Sequence, residues 1–356
     1  MKKLIVLTLT VFLLLTLCSC SDSDLSCLKF QLKDDGTYSV TGNCMSFLNK
    51  EIVIPSTYNG KPVTEIGNSA FFDDSTMKDI VFVLFGCRIK NVVIPDSITK
   101  IGDSAFCDCH SLTSIVIPDS VTSIGDCAFS NCDSLTSIAI PDSVTRIGEH
   151  AFYGCNNLTT VTISNSVKNI GYQAFAYCSG LSSITINGNG RTRIENRAFY
   201  ECAALESVII GDGVTYIGES AFRYCEKLTY VTIGDNVESI GDYAFEDCYN
   251  IKSLTLGNSL TNIGSHAFSN CDSLTTVTLP DSVKNIRSYT FSNCNNLTRV
   301  VIPDSVTSIE WRAFYKCEKI TFYCEATEKP DGWHEDWNAY IMGDYYLPVV
   351  WGYTGE

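Results

Sequence analysis

Residues 101–123 read Ile-Gly-Asp-Ser-Ala-Phe-Cys-Asp-Cys-His-Ser-Leu-Thr-Ser-Ile-Val-Ile-Pro-Asp-Ser-Val-Thr-Ser. The unit begins again at Ile124, Ile147, Ile170, Ile194, Ile217, Ile240, Ile263, Ile286 and Ile309. Every step is 23 residues except that from Ile170 to Ile194, which is 24. Self-similarity at this period predicts a solenoid, in which each unit buries its apolar face against its neighbours. A repeat copies one environment many times, whereas catalysis needs a place unlike the others. The pattern therefore argues against an enzyme.

Each unit divides in two. In the second half, Ile115 and Ile117 are two residues apart and share one face of a strand, while Ser114 and Val116 face the other way. Leu112 is the remaining apolar position of this half. Pro118 lacks an amide hydrogen and ends the pairing, and Pro-Asp-Ser is turn chemistry. Gly211, Gly234 and Gly257 replace that proline in other units. The first half carries Ala105-Phe106, repeated through Ala313-Phe314 with Thr290 the one exception to the alanine. It reads as a turn or 3₁₀ segment whose phenylalanine plugs the core, so that stacked units form an aromatic spine. The expected fold is a stacked parallel sheet with one strand and one turn or 3₁₀ segment per unit.

Ten of the 18 cysteines recur at one repeat position, from Cys109 to Cys317. Equivalent residues in stacked units lie about 4.8 Å apart with parallel Cβ vectors. A disulfide needs about 3.5–4.5 Å and converging vectors, so these ten form a thiol ladder of small hydrophobes. A serine in the ladder, at Cys225 for instance, is expected to bury an unsatisfied hydroxyl at a cost of about 1–3 kcal/mol. Cys27 and Cys44 lie outside the ladder and are the better candidates for a bonded pair.

The apolar fraction of 45% suffices for a continuous core, and the net charge of −15 makes nucleic acid an improbable partner. Residues 1–20 read as a signal peptide: Lys2 and Lys3 precede an apolar run from Leu4 to Leu17 that is too short to span a membrane. Leu17-Cys18-Ser19-Cys20 is similar to a bacterial lipobox, which implies lipidation at Cys20. The cysteine at position 18 departs from that pattern and leaves ordinary cleavage open. Residues 21–60 then form a tether and cap, 61–325 the solenoid and 326–356 a C-terminal cap. Three of four tryptophans, Trp333, Trp337 and Trp351, lie in the last segment. They read as covering the open core, with an aromatic sugar shelf as the rival reading.

Leu-x-x-Ile-x-Ile-Pro followed by Ile-Gly-x-x-Ala-Phe-x-x-Cys resembles the BspA-like leucine-rich repeats of bacterial surface proteins, over about residues 60–325. The resemblance implies a leucine-rich-repeat solenoid, at the cell surface or extracellular, that adheres to a protein or glycan of a host or neighbouring cell, and the lipobox-like segment adds a lipid anchor in the membrane through Cys20. A passive surface spacer is the alternative. The resemblance implies no cofactor.

Departures from the repeat suggest where a partner would bind. The outward strand positions form a flat, hydroxyl-rich face on which only Tyr230 and Arg299 have hot-spot character. Nine of 18 tyrosines lie between Tyr153 and Tyr249. Tyr153 and Tyr200 share one repeat position, and Tyr177 and Tyr224 the next. These four are expected in a row along one flank, with Arg191, Arg193 and Arg197 adding charged anchors. The alternative for the row is surface filler, and for the arginines a tolerated loop. His150 and His266 share a variable position and show no catalytic pattern, and no metal or phosphate motif appears. The aspartates after the strand, such as Asp212 and Asp235, read as turn formers rather than calcium ligands. Ile66 opens an early unit with a strand candidate at Met77–Phe82. Ile89 lies only 12 residues before Ile101, as though half a unit had been inserted or lost at a kink.

Overall fold

The computed structural model describes residues 28–43, 51–72, 89–341 and 345–355. The expectations for residues 1–20 with Cys20, for Cys27 and Cys44, and for Met77–Phe82 fall outside the described residues.

The chain winds as a solenoid with two parallel ladders. One is built from the predicted strands, as where Ser137–Ile140 pairs with Thr160–Ile163, Ile138 beside Val161 and Ile140 beside Ile163. Exposed and buried residues alternate along Ser137–Ile140, as the period of two requires. The second ladder is made of two-residue strands ending on the repeat isoleucine, which pairs with its equivalents: Ile124 with Ile147, Ile147 with Ile170. In most units a turn links the ladders, closed in one case by the Val121 amide donating to the Pro118 carbonyl at 3.0 Å, whereas Ser183–Ile194 and Ser207–Ile217 run as continuous strands through both.

The third side is neither strand nor helix. The fourth and eighth residues of every unit from Ile101 onward have positive φ, for example Ser104 at 52° and Asp108 at 57°, or Tyr243 at 58° and Asp247 at 62°. For a residue other than glycine this conformation costs about 1–2 kcal/mol. The geometry is held because it pairs the backbone completely. The amides of Ser104, Phe106 and Asp108 donate to Asp126, Ala128 and Ser130 in the next unit at 2.7–2.8 Å. Those of Ala105 and Cys107 close turns onto Gly102 and Ser104. The segment is therefore a chain of turns, and the 3₁₀ alternative does not form among the described residues.

The phenylalanines stack from Phe71 to Phe314, with ring centroids 5.0–5.4 Å apart and planes within 10° of parallel. The ten ladder cysteines are buried as thiols, none of them in a disulfide. Each thiol donates to the carbonyl of the preceding unit's phenylalanine, at 3.0–3.6 Å. A serine hydroxyl there would face the same carbonyl, set back by its shorter C–O bond.

At the start, Leu28–Leu32 pairs antiparallel with Tyr38–Asn43, which pairs parallel with Lys61–Ile66. The second ladder thus begins upstream of residue 61. Ile66 pairs directly with Ile101, 35 residues on, and the ladder stays in register there. Ile89 is buried in the leucine position of a unit's second half, whose strand is Asn91–Val93, so it is not a repeat isoleucine, while the 35-residue step keeps the length of half a unit beyond the usual 23 residues. At the far end Trp333 and Trp337 are buried, and Trp337 packs on Phe314 and Phe322. The Trp333 indole donates to the Val306 carbonyl at 3.0 Å. These two tryptophans cover the core and present no sugar shelf.

Candidate functional site

The turns of the third side carry the residues in which one unit differs most from the next. Here the four predicted tyrosines meet. Ring centroids are 5.1 Å apart for Tyr153 and Tyr177, 5.6 Å for Tyr177 and Tyr200, and 5.6 Å for Tyr200 and Tyr224. All three contacts are edge to face, the geometry that aromatic quadrupoles favour. Burial pushes the Tyr177 and Tyr200 hydroxyls above their ordinary pKa, so both stay neutral at physiological pH.

The row extends well beyond the four. Upstream, His150 lies 5.5 Å from Tyr153 and 5.3 Å from Tyr172. Downstream, the Arg223 guanidinium lies 4.7 Å from the centre of the Tyr224 ring and 5.3 Å from that of Tyr243. Tyr243, His266 and Tyr289 then pile face to face at 4.9 and 4.8 Å. Tyr289 touches Trp311 and Tyr315, and Arg312 lies over both of those rings. The result is an unbroken ribbon from His150 to Tyr315 over eight successive units. At one strand spacing per unit it is roughly 35 Å long.

The predicted arginines do not act together. Arg197 joins the ribbon, 5.8 Å over the Tyr200 ring and donating to the Tyr172 hydroxyl at 3.4 Å. Arg193 sits on the strand Ser183–Ile194, over the Tyr216 ring at 3.9 Å and paired with Glu195 at 3.0 Å. Arg191 is exposed in the same bulged strand, beside the Gly188 and Gly190 turn that takes up the extra residue. On the strand face, Tyr230 is open to solvent. Arg299 is held between Tyr323 and Tyr353, with a 2.6 Å hydrogen bond to the latter. Arg299 thus fastens the C-terminal segment.

Sequence reasoning missed Arg223, Tyr243, His266, Tyr289, Trp311, Arg312 and Tyr315. The signal was available: the fourth repeat position reads His150, Tyr243, His266, Tyr289 and Arg312. Their chemistries differ, so counting one residue type did not find them.

At the middle of the ribbon lies a charged station. Arg223 Nε is 2.6 Å from Glu246 Oε2 and 3.8 Å from Asp247 Oδ2. His266 Nδ1 is 3.7 Å from Glu246 Oε1. Glu246 and Asp247 are each only 7% exposed. Asp247 accepts hydrogen bonds from Asn270 and from the Tyr249 hydroxyl, at 2.7 and 3.1 Å. Arg223 Nε, Glu246 Oε2 and His266 Nδ1 are buried without a hydrogen bond, so the 2.6 Å contact is an ion pair with a poorly aimed N–H. Burial raises the Glu246 pKa to about 7, against the opposing pull of Arg223 and with the help of Asp247. Burial, with Arg223, holds His266 below its ordinary value.

No group of three or more His, Cys, Asp or Glu among the described residues is placed to hold a metal ion. In the aspartate series, Asp212 accepts the Asp235 amide and Asp235 accepts the Asn258 amide, which is turn capping.

Residues 81–192 and 192–321 match the BspA type leucine rich repeat region, in six copies. Among solved structures, a leucine rich cell surface protein from Faecalibacterium prausnitzii is 27% identical, with 91% of this chain and 98% of that one covered and a TM-score of 0.42. The Treponema pallidum leucine rich repeat protein is 25% identical over 71% of this chain and 91% of its own, with a TM-score of 0.47. A leucine-rich repeat protein from Bacteroides ovatus is 24% identical over 85% and 100%, with a TM-score of 0.35. No curated protein gives a significant match.

Proposed function

The chain belongs to the BspA type leucine-rich repeat family, and from that premise we propose that it is a bacterial surface protein that adheres to a protein partner along its aromatic ribbon. The observation that carries this reading is the continuity of the ribbon from His150 to Tyr315 on the solenoid's most variable side. Tyrosine, tryptophan and arginine give large contact area at low entropic cost and dominate binding hot spots. The ring geometry favours a protein over a glycan. Sugars stack on open ring faces, but here faces are spent on neighbouring rings, as in the Tyr243–His266–Tyr289 pile. What remains for a partner is ring edges, hydroxyls and guanidinium groups. The leader-like residues 1–20 and Ser19-Cys20 support an exported chain anchored through lipid on Cys20.

Two experiments test the reading. In the first, purified protein is screened against immobilised matrix proteins and glycans, beside a Tyr153/Tyr177/Tyr200/Tyr224→Ser variant. The expected result is attachment to a protein, weakened at least tenfold in a folded variant. Unchanged attachment would move the site to the strand face. Attachment to nothing, with tolerance of every single-site change, would favour the passive spacer. In the second, fatty-acid analogue labelling should tag the wild type and not Cys20→Ala.

A further inference from the structure

Arg223 is the cation that joins the two halves of the ribbon, between Tyr224 and Tyr243. Its side chain is 27% exposed, so it borders solvent, yet Glu246 beneath it neutralises it. We propose, building on the ribbon as the binding surface, that this station takes a carboxylate of an acidic partner segment in exchange for Glu246, and that it does so when Glu246 gains a proton.

The groups facing the station come from four successive units. Arg223 and Tyr224 come from the first. The second supplies Asp242, Tyr243, Glu246, Asp247 and Tyr249. The third supplies His266 and Asn270, and the fourth Tyr289. Asp247 is occupied by Asn270 and Tyr249, and it lies 3.8 Å from Arg223, against 2.6 Å for Glu246. Glu246 is therefore the counter-ion whose loss matters. Its ion pair lacks an aligned hydrogen bond, so little directional energy holds it. A carboxylate arriving from solvent meets a guanidinium already oriented by two rings, and can pair with it in a better-aimed geometry. Burial, which favours the uncharged carboxyl, makes the exchange responsive near neutrality. Protonation of His266 at lower pH adds positive charge on the same side. The overall charge of −15 opposes an acidic partner at long range. Physiological salt screens that field beyond about 8 Å, and the local cation decides the contact.

The test uses the purified full-length protein and two short probes, a glutamate-rich peptide and its lysine-rich counterpart, at pH 7.5 and 5.5. The glutamate peptide should bind wild type at least fivefold more tightly at pH 5.5. Glu246→Gln should already bind it tightly at pH 7.5, with only the smaller change that His266 brings at pH 5.5, and Arg223→Gln should bind it at neither pH, with folding checked by circular dichroism. A pH ratio undiminished in Glu246→Gln, or a preference for the lysine peptide, overturns the proposal. A ligand-free readout separates this proposal from the adhesive role: near-ultraviolet circular dichroism of the ring pile should change in a step near pH 7 in wild type, and that step should be absent from Glu246→Gln, where only the lower step of His266 remains. A flat wild-type titration overturns the exchange whatever the ribbon binds. A clear titration without attachment to any partner would count against the ribbon as the binding surface.

Discussion

At the scale of single residues, the thiol ladder makes two predictions. Burial raises the Cys178 thiol to about 12 and holds that of Cys155 well above its ordinary value. Half-buried Cys107 is also pushed up to about 12, by burial and then Asp108. Native protein treated with an alkylating reagent at pH 8 should therefore show no modification at Cys155 or Cys178, and only slow modification at Cys107, by mass spectrometry. Cys225→Ser should cost about 1 kcal/mol, because the hydroxyl keeps the Phe199 carbonyl as acceptor. Urea unfolding measures the loss, and a cost well above that of Cys225→Ala would show the acceptor to be out of reach. The charged station makes a third prediction. Glu246 rises in the fold from 4.5 to about 7, so the folded chain binds the extra proton. Its contribution to stability is full below pH 4.5 and is lost as pH rises through 7. His266 is lowered, so its contribution is full above 6.5 and is lost as pH falls. The two oppose each other in wild type. In Glu246→Gln only the histidine remains, and the variant should gain stability relative to wild type as pH rises from 5 to 8. Urea midpoints at the two pH values check the sign.

At the scale of the element, the third side is a backbone device. Lys316 has a φ of 60° at the surface. Lys316→Gly should be neutral or stabilising by up to about 1 kcal/mol, and Lys316→Val destabilising, since a β-branched residue tolerates that region poorly. Inside, Phe222→Ala removes a ring stacked at 5.1 Å on both sides and should cost about 3–5 kcal/mol. Denaturant unfolding separates the two effects. The strand half was legible in the sequence because Ile115 and Ile117 obey a period of two and Leu112 recurs with them. The left-handed pair was not, because Ser104, His150, Tyr243 and Lys316 share no chemistry: what they satisfy is amide pairing between units. Four tyrosines of the ribbon were legible as repeated letters. The remainder required neighbouring turns to be read across, and Arg223, His266 and Trp311 look unrelated in one dimension. Ile89 was misread because isoleucine fills both the leucine and the isoleucine positions of the unit.

At the scale of the molecule, each unit touches only its neighbours, so stability is close to a sum of unit and interface contributions. Removing residues 124–146 joins Ser123 to Ile147 in register and should leave a folded, slightly less stable solenoid. Removing 12 residues from the same place breaks the ladder, and circular dichroism with thermal melting should show the difference. The isoleucine ladder has a consequence for a chain under tension. In the isoleucine ladder most successive units meet through strands of two residues, in parallel and in register, and the pairings on the other sides are also short. A pull between the two ends loads these short rungs one after another rather than all together. The solenoid should therefore lengthen in steps, each releasing one unit of 23 residues, or about 75 Å of extended chain, while the units behind it stay wound. Under shear such a molecule is a paying-out line, yielding length at modest force before its grip is tested.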